Sequence, residues 1–314
     1  IAVIKLFDIP ALLNLSYSTS LVMIIVVIGL LGASYAILGG LRAVAVSDTL
    51  NGVGLLLVGV AVPYLGLQVL GEGSVGQGLN TVLTTETHKL NAIGGRSDPT
   101  PFATLFTGMI LANLFYWCTN QYVIQRTLAA RSLAEGQKGV LLSGFFKVLV
   151  PLLMMIPGVI AYHLYGPELH PIDLAYPQLV RDVLPIYATG FFLAVLLGAV
   201  LSSFNSLINS AATLFCIDVY QPWVGKPVTD EALLRTAKRV GLTITVFSLI
   251  VAPLLQFAPD GLWQLIRIFT GFYNIPMIAI VIVGLFTQRV PASAAKLVIV
   301  FHIAAYGTFQ FLFK

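Results

Sequence analysis

Apolar stretches of about 20 residues, the length needed to cross a hydrocarbon core as a helix, recur eight times. They lie at 18–38, 47–71, 102–127, 139–164, 186–219, 236–258, 262–288 and 292–314. Few charges interrupt them, and what separates them is short and polar. The pattern predicts an all-α polytopic membrane protein, because only helices and closed barrels satisfy their backbone polar groups inside lipid.

Within this pattern some positions break the rule. The longest polar connection, 72–101, holds a glycine cluster and is expected to carry short structure of its own. GGLRAVAVSD (39–48) reads as a tight turn in which Gly39 and Gly40 end one helix and Ser47 or Asp48 caps the next. Pro63, Pro151, Pro157, Pro253 and Pro276 fall inside otherwise continuous spans, and GFYNIP (271–276) is the clearest predicted helix break. Interrupted helices at membrane depth are a device by which transporters expose backbone to ions.

Composition sharpens the class. The 314 residues are 58% hydrophobic and 10% charged, with mean hydropathy +0.92, far from the quarter-charged soluble norm. Net charge is +4, and its distribution matters more than its sum. Arg42, Arg126, Arg131, Lys138, Lys226, Arg235, Lys238, Arg239, Arg289 and Lys296 fall in or beside every second loop. The alternate loops hold Lys89, Arg96 and Arg181 among Glu72, Glu86, Asp98, Glu168, Asp173, Asp182 and Asp260. By the positive-inside rule the first set is cytoplasmic; these loops account for the basic pI without nucleic acid. The chain opens on IAVIKLFDIP, which reads as the tail of a helix already under way and predicts an internal piece of a longer protein. Cys118 and Cys216 lie in apolar spans and read as packing residues.

Polar groups inside the spans carry the candidate chemistry. Asn113, Tyr116 and Trp117 stand at i, i+3 and i+4, on one helical face, and Asn120 and Gln121 come one turn later. Lys147 lies deep in the next span, and Pro151, without an amide proton, leaves the Lys147 carbonyl unbonded. A cation, a free carbonyl and an amide-aromatic face are costly in hydrocarbon unless they meet one another, water or a ligand. A transported molecule is expected there. Ala199, Ser202 and Ser203 form a second stripe, continued by Ser206, Asn209, Ser210 and Thr213. Na⁺ takes oxygen ligands of this kind; equally, small polar residues let helices pack closely. Asp48 suits a helix cap and also a carboxylate beside a cation path. Arg267, near the external end of its helix, fits an interfacial anchor. His163, Glu168 and His170 match metal ligands by type alone, and no Walker A loop, HExxH motif or nucleophile–base pair is present; nothing points to an enzyme or to a metal other than Na⁺.

Residues 33–48 and the block NQYVIQRTLAARSLAEGQKG within 113–158 closely resemble the sodium/solute symporter family, most of all its sodium–sugar cotransporter branch and an uncharacterised bacterial subgroup. The likeness continues through LSSFNSLINSAATLFCIDVY (201–220) and IRIFTGFYNIP. It implies a partial LeuT-like core of inverted repeats: 1–71 ending the first repeat, 72–101 an external loop, 102–288 the second repeat, and 289–314 a peripheral helix. It implies Na⁺ as coupling ion, with Ala199, Ser202 and Ser203 at the sodium site, Ser203 most directly. Asn113, Tyr116, Trp117 and Lys147 would face a sugar-like solute, and Asp48 the sodium release path. No cofactor, a multi-pass place in the plasma (inner) membrane and no nucleic-acid partner are further expectations. The departure is Arg267, where sugar cotransporters carry Gln. A guanidinium favours carboxylate, sulfonate or phosphate, so sugar acids or sulfonated sugars become candidates. The competing readings are a symporter-like sensor domain, a proton-coupled transporter of another small solute, and a channel-like ion pathway.

Overall fold

The computed structural model describes residues 2–91, 93–96, 98, 101–169, 174–257 and 261–312, without the side chains of 2, 5, 6, 35–44 and 263. The Arg42 side chain, His170, Asp173 and Asp260 lie outside this set. Among the described residues all regular structure is helical, and seven helices are long and apolar enough to cross a membrane. The chain forms two compact units, Ile1–Leu90 with Arg131–Phe257, and Asn91–Ala130 with Ala258–Lys314.

The first unit is built on α1, Tyr17–Leu70, capped by the Ser16 hydroxyl, which accepts from the Thr19 amide at 3.1 Å. Its 54 residues would extend about 80 Å if straight, more than twice a bilayer core. The helix is not straight. Gly32 abuts Leu201 and Phe204, whereas Asp48 bonds Ser202, Asn51 abuts Gly198 and Gly54 abuts Val195. Residues 32 and 48 would be about 24 Å apart in a straight helix, yet they reach the same turn of α8, defined below. The chain therefore reverses between Ser34 and Ala45. The expected turn is present as a reversal within the helical segment Tyr17–Leu70. Ser47 and Asp48 are consequently interior, not caps: a cap must sit where amides lack partners, and here the preceding turn supplies them.

Short α2, Val75–Thr84, is the structure inside the 72–101 connection. Gly71 and Gly78 meet backbone to backbone, and a Cβ on Gly78 would collide with the Leu67 carbonyl. A buried cluster of Val58, Val62, Val82, Ile160, Leu179 and Phe192 packs this end of the unit.

The second unit begins with the segment expected to be one span, 102–127. It is instead a chain of short pieces: a 3₁₀ turn Phe102–Phe106, α3 Gly108–Leu114, a π-helical turn Phe115–Thr119, and α4 Gln121–Leu128. Asn120 between them is extended, with ψ of 114°.

Back in the first unit, α5 (Leu133–Val150) starts at Ser132, whose hydroxyl accepts from the Glu135 amide at 3.3 Å, six residues earlier than the apolar pattern suggested. Lys147 is thus about 21 Å along the helix rather than about 12 Å. The π turn Pro151–Met155 comes next, where the proline removes an amide, then α6 Ile156–Tyr165 and α7 Ala175–Val183. The unit is completed by α8 Ile186–Leu214, a π turn Phe215–Tyr220, and α9 Asp230–Val251. α8 lies parallel to the first half of α1 and antiparallel to the second.

The second unit is completed by α10 Gly261–Phe286 and α11 Ala292–Leu312. GFYNIP does not break α10. Pro276 is itself buried and sits inside a continuous helix, which α11 braces one turn earlier. His302 Nε2 donates to the Gly271 carbonyl at 3.0 Å, and Tyr306 packs so tightly on Gly271 that a Cβ there would collide with its ring.

Candidate functional site

α8 carries the sodium candidates, and the reversal of α1 brings Asp48 beside them. The Ser202 hydroxyl donates to the Asp48 carboxylate, joining residues 154 apart in sequence. Ser206 Oγ donates to the Ser202 carbonyl at 2.8 Å, and Asn51 Nδ2 donates to Ser47 Oγ at 3.3 Å. Ala199 and Ser202 are half-buried, while Ser203, one residue round the helix, is exposed. Of the three stripe residues it is therefore Ser202 that meets Asp48. A carboxylate and a hydroxyl are both hard oxygen donors, suited to an alkali cation.

One turn beyond sits a residue the stripe omitted. Asn205 is 0% exposed, and neither its Oδ1 nor its Nδ2 has a hydrogen-bond partner. An orphaned buried polar group costs about 1–3 kcal/mol, so its place beside Ser202 and Ser206 marks the same region. The signal was available: Asn205 stands at i+3 from Ser202.

In the second unit, Asn113 and Trp117 line a depression of about 410 Å³ with Leu105, Met109, Ile110 and Cys118. Asn113 Nδ2 donates to the Met109 carbonyl at 2.8 Å, which leaves its carbonyl oxygen for other use. The π turn rotates the residues beyond Phe115. Tyr116 is absent from this lining; its phenol pairs with that of Tyr122 and its ring meets Trp117 edge-on at 5.1 Å. The shared face of Asn113, Tyr116 and Trp117 presumed a 3.6-residue period, which a π turn widens. Gln121 begins α4 after the kink at Asn120. Arg267, half-buried in α10, lies within electrostatic reach of the Tyr306 phenol, one turn before the braced Gly271. Lys147, exposed on α5, belongs to the first unit. Cys118 faces the depression rather than packing, whereas Cys216 is buried with its thiol toward the Leu233 carbonyl at 3.7 Å. No cluster of three His, Cys, Asp or Glu occurs among the described residues.

Seven apolar helices of membrane-crossing length, among the described residues, define a polytopic membrane protein. Comparison with known proteins gives the family. The profile of the sodium:solute symporter family matches residues 5–299, and the chain belongs to that family. It is 45% identical over its whole length to the "Uncharacterized symporter YidK" of Escherichia coli, spanning 55% of that protein. It is 30% identical over 86% of its length to the sodium/glucose cotransporter of Vibrio parahaemolyticus, spanning 53% of it. The chain thus spans about half the length of these relatives. A solved structure of a Na⁺-coupled sialic acid symporter, substrate-bound and outward-open, shares the fold. It superposes with a TM-score of 0.79 at 21% identity, over 99% of this chain and 65% of that one. The fold is thereby LeuT-like and partial, and the chain is a multi-pass protein of the plasma membrane.

Proposed function

We propose that this chain forms part of a sodium-driven importer of a small polar organic solute, a sugar or sugar derivative, working by alternating access and not by catalysis. The observation that carries the reading is the Asp48–Ser202 pair, a carboxylate near the start of its span and a hydroxyl midway along the antiparallel α8. In this reading Ala199, Ser202 and Ser203 ligate Na⁺, the coupling ion, and Asp48 receives it on the way to the cytoplasm. The unpartnered Asn205 amide extends that oxygen-rich path. Asn113, Tyr116, Trp117, Lys147 and Arg267 attend the solute. Residues 1–71 and 102–288 are assigned to the two inverted repeats, with 289–314 peripheral to them.

Coupling is then a matter of linkage. Sodium stabilises the solute-ready arrangement, and each ligand raises the other's affinity by the same factor. The relatives are named for glucose and for sialic acid, and Arg267 favours the anionic end of that range. The test is a panel of radiolabelled neutral hexoses, hexuronates and sulfonated sugars, offered to the full-length protein in proteoliposomes with and without sodium. Sodium-dependent uptake of at least one supports the reading. A panel transported equally in potassium would overturn it.

A further inference from the structure

The hairpin of α10 and α11 holds an apolar slot that the transport reading does not use. It has a volume of about 280 Å³ and is lined by Ala279, Val283, Gly284, Ala295 and Val298, with Gln288 at its end. It exists because its walls are small. Gly284 has no side chain, and nothing lies within 4 Å of where its Cβ would stand. The Thr287 hydroxyl beside it already donates to the Val283 carbonyl at 2.6 Å, so the slot offers little to a polar guest.

Two cations neighbour the lining residues in sequence without lining the slot themselves. Arg289 sits between the lining residues Gln288 and Val290, and Lys296 comes directly after the lining residue Ala295; both are exposed. Residues 261–314 contain no Asp or Glu at all, so the hairpin supplies no anion to neutralise them. The positive-inside rule sets this turn at the cytoplasmic headgroup level. An apolar slot running into the bilayer, with two cations next in sequence to its lining, is complementary to one class of molecule. We infer that it binds an anionic glycerophospholipid, with one acyl chain in the slot and the phosphate between Arg289 and Lys296. Basic pockets between membrane helices on this side take such headgroups. A second copy of the hairpin fits less well, since a two-fold contact would bring the same cations face to face.

The test uses the full-length protein, released into detergent from vesicles of equal phosphatidylglycerol and phosphatidylcholine and weighed by native mass spectrometry. The protein should retain phosphatidylglycerol in clear preference to phosphatidylcholine. Arg289→Gln with Lys296→Gln should cut that preference about twenty-five-fold, from about fivefold per basic residue at an anionic surface. Gly284→Leu projects into open space, so it should fold normally and expel the acyl chain while leaving both cations in place. Retention unchanged in either variant would overturn the assignment, as would equal retention of the two lipids. A protein dimer that Gly284→Leu splits would identify the occupant as a second copy and overturn it too.

Discussion

Ser202→Ala removes the hydroxyl that donates to the Asp48 carboxylate. A hydrogen bond to a charged group contributes about 1.5–3 kcal/mol. Both partners are only part-buried, so the lower figure applies, which is close to a tenfold change in affinity. If the pair ligates sodium, the change falls on the sodium dissociation constant. Sodium binding is readable without knowing the solute, because a ligand of the folded state stabilises it by RT ln(1 + [L]/Kd). At a concentration one hundred times Kd this is about 2.7 kcal/mol, and a tenfold weaker site gives about 1.4 kcal/mol. The assay is thermal unfolding of the full-length protein titrated with sodium chloride against choline chloride. Asp48→Asn, Ser202→Ala and the double variant complete a cycle. Residues in direct contact couple by about 0.5–3 kcal/mol, so the double variant should lose much less than the two single losses added. Additive losses, or a sodium titration that Ser202→Ala leaves untouched, would refute the pairing as part of the ion site.

Ser203→Ala should raise the sodium concentration needed for half-maximal uptake in well-folded protein; an unaltered sodium curve removes Ser203 from the site. Lys147→Ala should weaken solute affinity about ten- to hundredfold if Lys147 makes a charged hydrogen bond to the solute; lost thermal stability with retained affinity would make it structural. Arg267→Gln should lower uptake of acidic solutes while sparing or improving neutral hexoses, and equal effects on both would leave Arg267 an anchor only. Gly271→Ala forces a methyl into the Tyr306 ring and should cost about 1–3 kcal/mol by overpacking, read as a lower unfolding midpoint. Tyr306→Phe in the same background should recover part of it, since the phenol oxygen is the nearest atom.

Apolar length and loop charge were enough to find the long helices, because in lipid each span must satisfy its own backbone. What local rules could not reach was pairing. Asp48 looked like a cap because carboxylates suit helix starts, yet its partner Ser202 is 154 residues away. GFYNIP looked like a break because Gly and Pro disfavour helix interiors; His302 and Tyr306, thirty-odd residues on, hold it helical. The π turns at Phe115–Thr119 and Pro151–Met155 rotate the faces that a 3.6-residue period assigns, which leaves Tyr116 against Trp117 but outside the depression that Asn113 and Trp117 line. The start of α5, by contrast, was written plainly: Ser132 and Glu135 form the pattern of a capping box, obscured by the polar residues before Gly139. Asn205 was legible as an i+3 neighbour of Ser202, but its burial and lack of a partner were not.

Sodium coupling requires that the inward sodium gradient do work on the solute. Proteoliposomes of the full-length protein, given the solute found in the uptake panel, should accumulate it above the external concentration while that gradient persists. The excess should collapse when sodium is equalised across the membrane, and an inward proton gradient should not restore it. Accumulation that survives sodium equalisation, or that a proton gradient drives equally well, would contradict sodium coupling.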